Sequence, residues 1–281
     1  MHLKTMMVIS LTIGFANAVV GPVTKGISLS GVSSLLDGAG VGLAIWMIAG
    51  WCLITLYKAE LPERLTLADT YLFLCAAFAL LIPSAMVAWF TCTLIAIWCF
   101  YRCSSNLIAR SALLIFAAMA IRTPAITLLL SVLSEEFLYI DAQLVTTALT
   151  ISSIETQQIG NIIVGDDGHK LAVMTGCSSF TNLSIALLVW FAISRGIRHR
   201  ISGRALAAGL AITISIIGLN AFRLSLMALN PELYHFFHGD IGKDLFELAL
   251  VLTTLSVALL GTGGIDENTI CRHQRSSIHS G

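Results

Sequence analysis

Gly176-Cys177-Ser178-Ser179-Phe180-Thr181-Asn182 lies where a polar, turn-rich segment (about Gln157 to Met174) meets a long apolar run, Leu183 to Ile193. Such a join reads as a border between water and membrane if the rest of the chain is equally apolar. It is: 57% of the 281 residues are hydrophobic, 11% are charged, and the mean hydropathy is +0.87. A soluble domain is nearer about a quarter charged. The apolar residues come in blocks close to the ~20 that a bilayer-crossing helix needs. The chain therefore reads as an all-α, polytopic helical membrane protein with about eight transmembrane helices. One interfacial amphipathic helix and a small extracytoplasmic β-hairpin complete the expected fold. The net charge of zero leaves no electrostatic footprint for nucleic acid.

Working outward, the first span covers about Met6 to Val20. It reads either as a retained helix or as a secretory signal with a small-residue cleavage site at Ala16-Asn17-Ala18. Val23 to Gly38 is a Gly/Ser-rich loop, and further spans fall at about Ala39–Leu56, Leu67–Leu81, Met86–Tyr101 and, after a turn at Arg102–Asn106, on to about Ile121. Pro124 should end the fifth span and start the amphipathic helix, in which Ile126, Leu130, Leu133, Phe137, Ile140, Leu144 and Ile151 recur every three or four residues. Gly165-Asp166-Asp167-Gly168 between Ile159–Val164 and Lys170–Met174 is a hairpin signal. The last three spans are about Phe180–Ser194, Ala205–Leu226 and Leu245–Leu260, followed by a polar tail. The whole of 1–281 reads as one integral membrane domain, with 262–281 as a cytoplasmic tail.

Lys and Arg placement orients the spans. Arg195, Arg198, Arg200 and Arg204 form the most basic turn and should be cytoplasmic. The opposite face then holds Glu135, Glu136, Asp141, Glu155, Asp166, Asp167 and Asp240. Cys177 lies 23 residues before Arg200, and Arg223 lies 23 after it. Two antiparallel helices rising about 1.5 Å per residue carry both to a similar height on that outer face. His238 follows in the next outer loop.

Those residue types suit one chemistry. A thiolate is a strong nucleophile, favoured by cationic neighbours and by a helix N-terminus. A histidine can take the thiol proton and return it to a leaving amine. An arginine suits the negative oxygen of a tetrahedral intermediate. Plainer readings stand beside these. Cys177 can be small packing at a helix start, and Arg223 can snorkel to lipid phosphate. His235 competes with His238, and His169 is expected to be exposed on the hairpin. Asn220 either orients Arg223 or bonds to a neighbouring helix. Seven cysteines without a C-x-x-C pair suggest neither a zinc ribbon nor a redox motif, and no cofactor or metal is expected.

At these residues the chain resembles the exosortase/archaeosortase family. The motifs are Cys177-Ser178-Ser179-Phe180, Asn220-Ala221-Phe222-Arg223 and His238-Gly239-Asp240-Ile241-Gly242. Ser179 stands where the family often has glycine. The resemblance runs from about Leu107 to Leu260, within a core drawn at 104–262, and the N-terminal hundred residues match only as generic apolar spans. It implies a membrane cysteine transpeptidase with catalytic Cys177, Arg223 and His238, sited at the outer face of the cytoplasmic (inner) membrane. The implied partners are membrane lipid and secreted client proteins. The clients carry C-terminal sorting signals: a short PEP-CTERM-like motif, a hydrophobic helix and a basic tail. In several bacterial members the activity is tied to exopolysaccharide production. Two other classes fit an apolar chain of this length: a transporter or assembly subunit for a polysaccharide or lipid-linked precursor, and a membrane acyltransferase acting through a cysteine thioester.

Overall fold

A computed structural model describes residues 2–30, 41–60, 65–166, 168–199 and 201–263. Among these, the chain forms nine α-helices and one three-stranded sheet. By contact density it divides into two compact units, Met1–Phe137 and Leu138–Gly281.

The first unit holds α1 (Leu3–Ser30), α2 (Leu43–Lys58), α3 (Leu67–Leu80), α4 (Ala85–Arg102) and the first part of α5. The helix α1 runs past the expected end of the first span, through Pro22 to Ser30, so the first half of the expected Gly/Ser loop is helical. The rest of that loop lies outside the described residues. Gly14 lets α1 approach α4 closely, because a Cβ there would overlap the Cys92 sulfur. Phe15 packs edge-on against Trp46, Trp89 and Phe116. Thr66 and Asp69 form a capping box at the start of α3. The fully buried Asp69 carboxylate also accepts from Trp98 Nε1 at 2.8 Å and from Arg102 Nε and Nη2 at 3.1 and 3.0 Å.

The helix α5 spans Leu107–Ile151 and departs from expectation in two ways. Pro124 lies inside it rather than at its end, and the non-helical residue is Leu133 (φ −118°, ψ 20°). Arg122 is therefore mid-helix. A proline removes one backbone donor. Ending the helix in apolar surroundings would strip several more groups of their partners. The second departure is the packed stripe. Leu138, Asp141, Ala142, Val145 and Leu149 are buried, whereas Ile140, Leu144 and Ile151 of the expected stripe are exposed.

The second unit continues with β1 (Thr156–Ile159), β2 (Ile162–Gly165), β3 (Lys170–Ala172), a 3-10 turn at Thr175–Cys177, α6 (Ser179–Arg198), α7 (Gly203–Leu229), α8 (Pro231–His238) and α9 (Asp240–Thr262). The expected hairpin is present, with Ile163 opposite Leu171, and β1 adds a third antiparallel strand. Ile163, Leu171 and Val173 from this sheet pack with the buried stripe of α5 and with Leu224, Met227 and Ala228 of α7. The helices α6, α7 and α9 pack on one another in all three pairs. Leu206, Leu210 and Ile214 of α7 and Leu245, Leu248, Leu252 and Leu259 of α9 remain exposed. An apolar face of that extent suits lipid rather than water.

Six helices among the described residues are long and apolar enough to cross a membrane: α1, α4, α5, α6, α7 and α9. The helices α2 and α3 sit where two further spans were expected but have 16 and 14 residues. At about 1.5 Å per residue they fall short of a hydrocarbon core of about 30 Å.

Candidate active site

Cys177 closes the 3-10 turn immediately before α6, with its N–H donating to Met174 O at 2.8 Å. Ser178 is the N-cap of α6, and its Oγ accepts from Phe180 N at 3.2 Å. The next orphan donor, Ser179 N, is taken by Asp141 Oδ2 at 3.0 Å. Cys177 is a free, half-buried cysteine packed against the cluster that includes Leu149, Val173 and Leu224.

The α6–α7 hairpin fixes what lies opposite this turn. Asn220 is fully buried on α7 and donates from Nδ2 to Cys177 O at 2.9 Å and to Ser179 Oγ at 3.0 Å. Its Oδ1 accepts from Asn182 Nδ2 at 3.3 Å. Of the two roles expected for Asn220, the bond to a neighbouring helix is the one observed. The pairing is close to symmetric about the turn, as Trp190 also faces Gly209, where a Cβ would lie 2.9 Å from the indole ring. Ser179, the departure from the family motif, thus uses its hydroxyl as a partner for Asn220.

Arg223 lies one turn beyond Asn220 and is only 9% exposed. Its Nη2 donates to Phe237 O at 3.0 Å, and its guanidinium carbon sits 4.6 Å over the Phe246 ring of α9. Nε is buried without a hydrogen-bond partner. A side chain reaching for lipid phosphate would carry its head outward. Here the head is enclosed, with a donor uncommitted.

His238 was expected in a loop but is the last residue of a short helix, α8. Asn230 caps that helix by accepting from Leu233 N at 2.8 Å, and Pro231 follows at its first position. The His238 ring is exposed and stacks on Tyr234 with centroids 4.5 Å apart and planes 23° apart. His235 is also exposed and meets Tyr234 edge-on at 5.6 Å. Phe237, adjacent to His238, carries the carbonyl that Arg223 holds. Gly242, four residues after His238, is required by the corner between α8 and α9, because a Cβ there would overlap the backbone of Phe236 and Phe237. His169 corrects expectation: its Nε2 lies 3.1 Å from Met227 O, and its ring faces Tyr234 edge-on at 6.3 Å.

The structure therefore links the turn of Cys177 to α7 through Asn220, and α7 to the end of α8 through Arg223. Among the described residues, no hydrogen bond joins the thiol, guanidinium and imidazole to one another. No group of three or more His, Cys, Asp or Glu side chains able to hold a metal occurs among those residues. Sequence reasoning missed Asp141, Tyr234 and Phe246. The signal for Asp141 was present: it shares a helical face with Leu138, Ala142 and Val145.

The model of the transmembrane exosortase family matches residues 36–255. The chain belongs to that family and is a multi-pass membrane protein. The match takes in α2, α3 and α4, which the short motifs alone did not reach. No curated protein and no solved structure matches the chain.

Proposed function

We propose that the protein is a cysteine transpeptidase that cleaves C-terminal sorting signals from secreted proteins. The substrate class is a short motif, a hydrophobic helix and a basic tail, presented at the outer face of the cytoplasmic membrane. A link to exopolysaccharide production belongs to the same reading. The observation that carries it is Arg223: a buried cation with one donor uncommitted, on the helix that also holds the backbone of Cys177.

The steps follow from the side chains. The Cys177 thiol gives its proton to His238, and its sulfur adds to the scissile carbonyl carbon. Arg223 binds the resulting oxyanion, a contact stronger in the transition state than in the ground state. The carbon–nitrogen bond breaks, His238 protonates the leaving amine, and an acyl thioester remains on Cys177. An amine or water then adds to the thioester, transferring its proton through His238 and releasing the thiol.

The test is a tagged secreted reporter carrying such a C-terminal segment, expressed with the enzyme. With Cys177→Ala the uncleaved reporter should accumulate while the enzyme level is unchanged. Intact processing in Cys177→Ala, Arg223→Ala and His238→Ala alike would sink the reading.

A further inference from the structure

Asp141 is a carboxylate 5% exposed on the packed stripe of α5, among Leu138, Ala142 and Val145. Burying such a group costs several kcal/mol unless it is well bonded. Its partner is the Ser179 amide at the start of α6, 3.0 Å away. There the unsatisfied N–H groups and the helix dipole both favour an anion. The amide lies two residues after Cys177.

From α7, Asn220 holds the Cys177 carbonyl and the Ser179 hydroxyl, both through one side chain. Asp141 adds a hold from a different helix, on the Ser179 backbone amide. We infer that Asp141 is a positioning residue for Cys177, fixing the direction of its Cα–Cβ bond through the Ser179 amide. The inference rests on the proposed cysteine transpeptidase reading. Its energetic basis is that about 1 Å of misplacement can cost on the order of 100-fold in rate. An ordinary helix cap would move stability alone.

The experiment uses the full chain in membranes, a tagged reporter that the wild type processes, and hydrogen exchange of the peptide containing Ser179. Asp141→Asn keeps an acceptor oxygen and should stay within about threefold of wild type. Asp141→Ala should lower kcat by about tenfold or more, with KM little changed and faster exchange at Ser179. If the Ala variant does not accumulate, Asp141→Asn and Asp141→Ser carry the comparison, since in any folded variant kcat and Ser179 protection must move together. A variant that loses protection but keeps kcat, or keeps protection but loses kcat, overturns the inference. Cys177→Ala in the same assay separates two failures. If it abolishes processing while Asp141→Ala changes nothing, only this inference fails. If it leaves processing intact, the proposed function fails first.

Discussion

The carbonyl of Phe237 lies 3.0 Å from Nη2 of Arg223, so the end of α8 hangs from a side chain of α7. His238 is the next residue. Its distance from α7 is therefore set by an arginine rather than by apolar packing alone, and α8 contains no fully buried residue.

Arg223→Lys tests that arrangement. An ammonium keeps the charge but loses the planar fork that spans a backbone carbonyl and a second acceptor. Processing of the reporter should fall by about 100-fold, the scale seen when an oxyanion donor is lost. The measurement is kcat with membrane-extracted enzyme at matched protein level.

Asn220→Ala removes the partner of Cys177 O and Ser179 Oγ at once. Leaving such buried groups unpaired costs about 1–3 kcal/mol. The midpoint of thermal unfolding in detergent should drop, and processing should drop further than Asn220→Asp, which retains an acceptor for Asn182. Equal processing by all three proteins would dissociate Asn220 from the site.

Tyr234 stacks on His238 and meets His235 only by its edge. Offset aromatic pairs contribute about 0.5–1.5 kcal/mol beyond area burial. Tyr234→Phe should keep activity, and Tyr234→Ala should reduce it roughly twofold to tenfold, the factor those energies correspond to. His235→Ala should process the reporter normally and His238→Ala should not. The reverse pattern would move the histidine role to His235.

Gly242→Ala places a methyl group into the backbone of Phe236 and Phe237. Overpacking of this kind costs about 1–3 kcal/mol. The corner between α8 and α9 must open, so both the unfolding midpoint and processing should fall, with protein levels near normal.

Asp69→Asn is a control remote in sequence from the Cys177 region. It weakens a fully buried carboxylate that serves Thr66, Trp98 and Arg102. Hydrogen bonds to a charged group are worth about 1.5–3 kcal/mol. Lower thermal stability with a normal kcat in the surviving protein is the expected result.

Much of this was legible because apolar length and turn chemistry act locally. The runs that became α6, α7 and α9 were plain, as was the Asp-Gly turn whose Gly168 adopts φ +83°. The strand β1 was hidden because Thr156-Gln157-Gln158 is polar and earns its place by pairing with β2. The helix α8 was hidden because eight residues carry too short a period to read. Residues 126–151 offered two interleaved apolar stripes, and sequence alone cannot say which one meets protein and which meets lipid. Choosing the other stripe turned Asp141 from a buried partner of Ser179 into an outer surface acid. The order Cys177, Arg223, His238 was visible, as was Asn220, but Asp141, Tyr234 and Phe246 were not.

The two long helices of the hairpin are fastened at both extremities. Trp190 Nε1 grips Ala205 O at 2.8 Å near the basic turn, and Asn182 grips Asn220 near the other end. Parting the pair along its length would break both bonds. Under the proposed function, a peptide would meet Cys177 at the end of this pair where Asn182 and Asn220 join the helices.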